Sequence, residues 1–138
     1  MKSSIIWLGI IIFILSCSTQ KKAVKIESDK VEAAEQDSIE YELETFDAKF
    51  EIWYQLHDSP AQYRSLQYYE SWNRQYVSAW NHNATSSRRS WFFEPIVGYD
   101  PTVDYGFELN HKLFYYFQYV ENVLGMQIMS GGPNVVRN

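Results

Sequence analysis

Arg74 is the side chain in this sequence best suited to hold an anion. Its planar guanidinium can donate two parallel hydrogen bonds to a carboxylate or a phosphate. Asn73 and Asn81 could complete a polar opening around it, with Trp80 as an aromatic wall. Glu70 precedes Arg74 by four residues, so a surface ion pair along one helix is the simpler alternative. We predict a candidate binding site at Asn73, Arg74, Trp80 and Asn81, with the ion pair as the competing interpretation.

Groups for acid–base or nucleophilic chemistry are few and scattered along the chain. The sequence contains no nucleophile elbow, no zinc-protease helix motif and no phosphate-binding glycine loop. Asp104 and Glu108 could act as a carboxylate pair in glycoside hydrolysis, but nothing places a sugar between them. We therefore predict no catalytic residue, no metal site and no cofactor. A second hypothesis for function is a ligand- or glycan-binding, even hydrolytic, domain around Arg74, Trp80, Asp104 and His111.

Cys17, the single cysteine, stands where an N-terminal apolar stretch ends. The apolar stretch, residues 5–15, is about half the ~20 residues that a transmembrane helix needs, which is typical of a signal peptide. The order Ile14-Leu15-Ser16-Cys17 resembles the lipobox of bacterial lipoproteins. That resemblance implies cleavage before the cysteine and acylation of its thiol. We predict a signal peptide over residues 1–16 and a membrane anchor at Cys17.

The predicted anchor places the protein in the bacterial cell envelope. Ser18 follows the cysteine where an aspartate would retain a lipoprotein in the inner membrane, so we expect the outer membrane, with the domain facing the periplasm. The expected partners are the membrane, through the lipid, and an envelope protein. From Ser38 onward the chain has 7 basic and 12 acidic residues and no basic stripe, which argues against nucleic acid as a partner.

Composition divides the mature chain into three parts. Residues 17–37 are rich in lysine and acids with almost no large apolar side chains, so we predict a flexible tether after the lipidated cysteine. Residues 38–130 are predicted to form one globular domain, and residues 131–138 a flexible tail. Asp37-Ser38-Ile39 resembles the acceptor of bacterial O-glycosylation systems, which makes Ser38 a candidate for modification.

The pattern of apolar residues predicts an α+β domain of about three helices packed on a small, mainly antiparallel sheet. Glu40, Glu42 and Glu44 alternate with apolar residues, and the solvated face of an edge strand is favoured over a cation site. The expected helices span residues 46–56, 60–80 and 111–124, the last capped by Asn110. The expected strands span residues 39–44, 91–97, 102–109 and 126–129, and residues 81–87 are expected to form a loop.

Aromatic residues are unusually frequent: 22 of the 24 lie between Tyr41 and Tyr119. Most are expected to form the core, because each ring buries a large apolar area. Phe114, Tyr115 and Tyr119 fall outside the main apolar face of the last helix, so we predict a protein-partner surface there, with a second packed layer or a sugar platform as alternatives. The leading hypothesis is therefore a non-enzymatic envelope lipoprotein that binds a partner or supports assembly.

Two sequence blocks carry a family resemblance. One is the run Asn73-Arg74-Gln75-Tyr76-Val77, followed by Trp80-Asn81. The other begins at Asp104-Tyr105-Gly106 and continues through Leu109-Asn110, Lys112-Leu113 and Tyr116-Phe117. Together they resemble a family of small bacterial lipoproteins classed as a domain of unknown function, over roughly residues 39–128. The resemblance implies a shared architecture and an envelope location, and it assigns no catalytic residue.

Overall fold

The computed structural model describes residues 24–30, 39–45, 47–96 and 98–135. It contains three helices and a two-stranded antiparallel sheet, which confirms the predicted α+β class. None of the helices within these ranges is long and apolar enough to cross a membrane. In chain order the elements are β1 (Val24–Lys30), β2 (Ile39–Thr45), α1 (Ala48–His57), α2 (Leu66–Thr85) and α3 (Gly106–Asn122).

The strands β1 and β2 form a hairpin whose inner face joins the core. Val24 lies opposite Thr45, and Ile26 opposite Leu43. Val24, Ile26 and Leu43 are buried, whereas Lys25 and the glutamates of β2 at positions 42 and 44 are exposed. This alternation matches a sheet with one covered face and one solvated face.

β1 corrects the sequence prediction, because it falls inside residues 17–37, the predicted tether. Val24 and Ile26 are too few to signal a strand within a charged stretch, and their burial depends on pairing with β2. The hairpin also packs closely on a distant segment. Gly98 has φ 91°, and a Cβ atom there would lie 3.0 Å from the carbonyl oxygen of Ile26, so this approach requires glycine.

α3 is the central helix of the domain and contacts α1, α2 and β2. Every residue from Leu109 to Val120 is buried except Lys112. A helix that is largely apolar around its circumference must be covered on all sides. Since α3 begins at Gly106, the strand predicted over residues 102–109 is wrong in its second half, and Asn110 lies inside the helix rather than at its cap.

The predicted partner surface on α3 is wrong. Phe114, Tyr115 and Tyr119 are 0, 0 and 2 % exposed. The ring of Phe50 in α1 lies 5.6 Å from the ring of Tyr119, and Tyr68 in α2 lies 5.7 Å from Phe114. The alternative of a second packed layer is what the structure shows, because α1 and α2 cover different sides of α3.

The other helix boundaries follow their capping groups. Asp47 Oδ1 accepts hydrogen bonds from the backbone N–H groups of Lys49 and Phe50, which begins α1 at Ala48. A short 3-10 turn occupies Pro60–Gln62, where the sequence predicts the start of the second helix. Ser65 Oγ accepts from the N–H of Tyr68, so α2 begins at Leu66, six residues later than predicted.

α2 also ends later than predicted, at Thr85, so most of the expected loop over residues 81–87 is helical. Asn83 is buried in this last turn, and its Nδ2 donates to the carbonyl oxygen of Ile128 at 2.9 Å. In the described residues between 86 and 105, and between 123 and 135, turns and irregular segments replace the predicted strands, with a single bridge residue at Phe93. Phe93 and Ile96 are nevertheless buried, because side chains of α2 hold this segment.

Glu121 holds the C-terminal segment against α3. Its Oε1 accepts from the N–H groups of Ile128 and Met129 at 3.0 and 3.2 Å, and its Oε2 accepts from the hydroxyl of Tyr76 at 2.8 Å. The N–H of Val135 donates to Gln118 Oε1 at 3.2 Å. The tail predicted from residue 131 therefore contacts α3 as far as Val135.

We predict that Glu121→Ala lowers the free energy of unfolding by about 2 kcal/mol, because it removes a charged acceptor shared by three donors. Chemical denaturation measures the loss, and hydrogen exchange should show faster exchange at the amides of Ile128 and Met129. Glu108→Ala is the matched control, since Glu108 is an exposed carboxylate on the same helix; it should change stability by no more than about 0.5 kcal/mol. Unchanged exchange at the two amides would contradict the prediction.

Candidate functional site

Asn73 has a structural position rather than a place in a binding pocket. It is fully buried, and its Nδ2 donates to the carbonyl oxygen and the Oδ1 of Asn110 at 2.8 and 3.1 Å. Asn110 Nδ2 donates in turn to the carbonyl oxygen of Gly106, and the hydroxyl of Tyr99 donates to Asn110 Oδ1. These bonds join α2 to α3. Because Asn73 is buried, it does not have the binding role that the sequence predicts.

Trp80 and Asn81 hold the segment after α2. Trp80 is fully buried, and its Nε1 donates to the carbonyl oxygen of Glu94. Asn81 Oδ1 accepts from the N–H of Ile96 at 2.8 Å. Because both polar groups are used by the backbone, neither side chain forms the wall or rim of an open site as the sequence predicts.

The four residues of the second hypothesis occupy different surroundings. Asp104 is exposed, and its Oδ1 accepts from the N–H of Gly106 at the start of α3. His111 is buried against α1, and Trp80 is buried beneath the segment after α2. Arg74 lines a groove along α2 whose lining includes none of the other three. The described residues therefore do not bring the four side chains together around this groove.

Arg74 lies on the exposed face of α2 and borders a groove of about 570 Å³. Within the described ranges it forms no ion pair with Glu70, so the simpler alternative drawn from the sequence is not realised. Arg74 does influence Tyr99: burial raises the pKa of the Tyr99 hydroxyl to about 12, and the nearby guanidinium partly opposes that rise. The residues lining the groove are Arg74, Gln75, Ser78, Ala79, His82 and Met129.

His111 lies at the centre of a second polar cluster, between α1 and α3. It is 0 % exposed, and its Nδ1 forms a hydrogen bond of 2.9 Å with the hydroxyl of Tyr54. Its Nε2 has no hydrogen-bond partner and lies 4.0 Å from Asp58 Oδ1. Burial lowers the pKa of the imidazole, and the carboxylate of Asp58 partly opposes this shift. The imidazole is therefore held in its neutral form.

Tyrosines complete this cluster, which we call the His111 cluster. The hydroxyl of Tyr63 donates to Asp58 Oδ1 at 2.6 Å, and this bond raises the pKa of Tyr63 to about 12. The ring of Tyr115 lies 4.4 Å from the imidazole, and its buried hydroxyl has no partner. Burial raises the pKa of Tyr115 to about 12. A carboxylate, an imidazole and tyrosine hydroxyls meet here, but the rings shield the imidazole from solvent, so the cluster is a core feature.

Sequence reasoning did not find the His111 cluster, although two signals were present. Phe107, His111 and Tyr115 recur every four residues on α3, and Tyr54 and Asp58 have the same spacing at the end of α1. Only the packing of the two helices brings these rows together. Among the described residues, no group of three or more histidine, cysteine, aspartate or glutamate side chains is arranged to hold a metal ion.

The outer face of α1 carries the most exposed large apolar side chains of the described chain. Ile52 is 64 % and Leu56 is 78 % exposed, and the two stand one helical turn apart. Trp53 and His57 lie beside them, half-buried, with their rings stacked at 4.3 Å. We call these four residues the α1 surface. Phe50 is buried on the inward side of α1, and Trp53 also packs on Tyr115 and Tyr119, so the exposed Ile52 and Leu56 are not needed to attach the helix.

Residues 5–132 match the model of a family described as "Family of unknown function (DUF6146)". The chain belongs to this family. The match covers both sequence blocks that carry the predicted resemblance, and it extends to the N-terminal segment before β1. No curated protein and no solved structure matches the chain significantly. The family description assigns no activity, so the function of the chain is argued from the surfaces described above.

Because the pKa of His111 is lowered in the fold, we predict that stability decreases as the pH falls below about 6.5, the value of a free histidine. In that window the unfolded chain binds a proton that the folded chain does not, which favours unfolding. The loss should reach at most about 1.4 kcal/mol per pH unit and should level off below the folded pKa.

Urea denaturation at pH 7.5 and 5.5 tests this for the wild type and for His111→Asn, which should lose much of the difference between the two pH values. His82→Gln is the matched control, because His82 is exposed on α2. An identical pH dependence in wild type and His111→Asn would contradict the prediction.

Tyr115→Phe should leave stability unchanged or raise it by about 1 kcal/mol, because the variant removes a buried hydroxyl that has no partner. Tyr115→Ala should instead cost about 3–5 kcal/mol through loss of the ring. Tyr54→Phe is the matched control, since it breaks the bond to His111 and should cost about 1 kcal/mol. Chemical denaturation distinguishes the three, and a loss above about 1 kcal/mol in Tyr115→Phe would show that its hydroxyl is bonded.

Proposed function

We propose that the protein is a lipid-anchored component of the bacterial cell envelope whose folded domain binds a protein partner without catalysing a reaction. The anchor part rests on Cys17 and the lipobox-like run before it. These residues lie outside the described part of the chain. The outer membrane, with the domain facing the periplasm, is the location that Ser18 favours.

The α1 surface is the observation that carries the binding part of the proposal. Two large aliphatic side chains, Ile52 and Leu56, are exposed side by side while Phe50 holds the helix to the core. An apolar patch that the fold does not need, bordered by polar groups, is typical of a protein-interaction site. Here the border is the ion pair between Lys112 Nζ and Glu51 Oε1, 3.1 Å apart.

The half-buried rings of Trp53 and His57 extend the same surface. Aromatic side chains are enriched in the cores of protein interfaces, because they bury a large area at a small entropic cost. The partner surface is therefore proposed on α1 instead of on the rings of α3, which are in the core.

Two finer points of the proposal concern glycosylation, at Ser38, which lies outside the described residues, and at Asn83, which lies within them. Ser38 is proposed as an O-glycosylation site on the strength of the Asp37-Ser38-Ile39 sequence. Ser38 directly precedes Ile39, the first residue of β2. Asn83-Ala84-Thr85 matches the pattern of an N-glycosylation acceptor, but the side chain of Asn83 is buried and donates to the carbonyl oxygen of Ile128, which argues against modification there.

The experiment is photo-crosslinking in cells that make the full-length protein with a photoreactive amino acid at position 56. A discrete crosslinked product should form at this position, because the exposed Leu56 side chain would lie in the interface. The same substitution at Gln55 is the matched control, since Gln55 is exposed about 100° away around the same helix. The product should be much weaker there.

A second arm introduces Cys17→Ser into the position-56 protein. Loss of the anchor should leave an uncleaved precursor of higher mass and should reduce the crosslink, because the domain is no longer delivered to its partner. Equal crosslinking at positions 55 and 56 would refute the α1 surface. Mass spectrometry that finds an unmodified mature cysteine would refute the anchor independently.

A further inference from the structure

We propose that the groove along α2 is a second binding site, which takes an extended peptide segment carrying two carboxylates. The groove holds about 570 Å³ and is lined by α2 and by Met129 of the C-terminal segment. It shares no residue with the α1 surface. The inference is therefore independent of the function proposed above.

The lining of the groove differs in charge from the acidic molecule as a whole. The whole chain carries a formal net charge of −5, yet no carboxylate lines the groove, and Arg74 and His82 stand at its two ends. Arg74 forms no ion pair within the described residues, although Glu70 lies one turn before it. A guanidinium that remains exposed and unpaired on an acidic protein is available to bind a carboxylate with two hydrogen bonds.

The spacing of the polar groups sets the length of the ligand. Arg74, Ser78 and His82 follow one another at intervals of four residues, so they form a row along one side of α2. Eight residues of helix span about 12 Å. Two carboxylates four positions apart on an extended peptide are separated by about 13 Å, which matches this row. The hydroxyl of Ser78 would contact the peptide between them.

The depth of the groove favours a peptide over a small molecule. Arg74, Ser78 and His82 are exposed, so the groove is shallow, whereas small-molecule sites enclose most of the ligand surface. An extended peptide instead gathers many contacts along its length. Ala79 and Met129, both half-buried, provide an apolar base for a small side chain between the two acids.

Fluorescence anisotropy with the full-length protein in detergent micelles tests the proposal. The probe is a labelled eight-residue peptide with two glutamates four positions apart and alanines between them. Arg74→Gln should weaken binding about tenfold or more, because it removes a charge-assisted pair of hydrogen bonds. Arg88→Gln is the matched control: Arg88 is exposed, lies outside the groove and carries the same charge. Its effect should stay within about twofold.

Two further comparisons identify the ligand and the site. The same peptide with glutamines in place of both glutamates should bind about tenfold more weakly or not at all. Leu56→Glu should bind the acidic peptide as the wild type does, because Leu56 is not in the groove. Equal losses in Arg74→Gln and Arg88→Gln, equal binding of the glutamine peptide, or loss of binding in Leu56→Glu would each overturn the proposal.

Discussion

The burial of α3 on all sides is the constraint on which the rest of the structure depends. The helix presents rings in every direction, and Phe114, Tyr116 and Phe117 are among its fully buried side chains. Each side of α3 must be buried by a different element, because one neighbouring helix contacts only one stripe of its surface. α1, α2 and the hairpin supply those covers. A small chain can build a core in this way because each aromatic ring fills much of the space between two elements.

Enclosing α3 also forces polar groups into the interior. On the α2 side most of them are satisfied: Asn73 Nδ2 donates to Asn110, and Gln118 Nε2 donates to the hydroxyl of Tyr76, which donates to Glu121, although Asn73 Oδ1 is buried without a partner among the described residues. On the α1 side more of the buried polar groups lack a hydrogen-bond partner. Trp53 Nε1, His111 Nε2 and the hydroxyl of Tyr115 are buried without partners. Unpaired buried groups are costly, so the α1–α3 contact is the less favourable of the two helix contacts in polar terms.

This difference bears on function. The helix with the less satisfied contact, α1, is also the one that exposes Ile52 and Leu56, whereas α2 is secured by the network around Asn73 and Asn83. A partner that covers the α1 surface would add apolar burial to the helix that has the least favourable polar contacts. The groove on α2, by contrast, stands on a well-fixed helix. A fixed helix backbone keeps the row of Arg74, Ser78 and His82 at constant spacing, so less entropy is lost on binding, which suits the recognition of a short charged peptide.

The sequence was enough to predict the α+β class and the general position of the three helices, because these depend on local order and periodicity. It also selected Arg74 as a candidate binding residue, beside the simpler interpretation of an ion pair with Glu70. It misjudged residues whose role depends on distant partners. Val24 and Ile26 of β1 are buried only because β1 pairs with β2. Asn110 is buried inside a helix because Asn73 of α2 donates a hydrogen bond to it.

Which aromatic faces are covered depends on the packing of the helices in three dimensions. A helical projection places Phe114, Tyr115 and Tyr119 away from the main apolar stripe, and it contains no information on whether another helix packs there. The same limit applies to the His111 cluster, whose members come from α1, the turn after it, and α3. Local patterns specify which side chains share a face, but burial is a property of the whole fold, because it is set by the elements that meet that face.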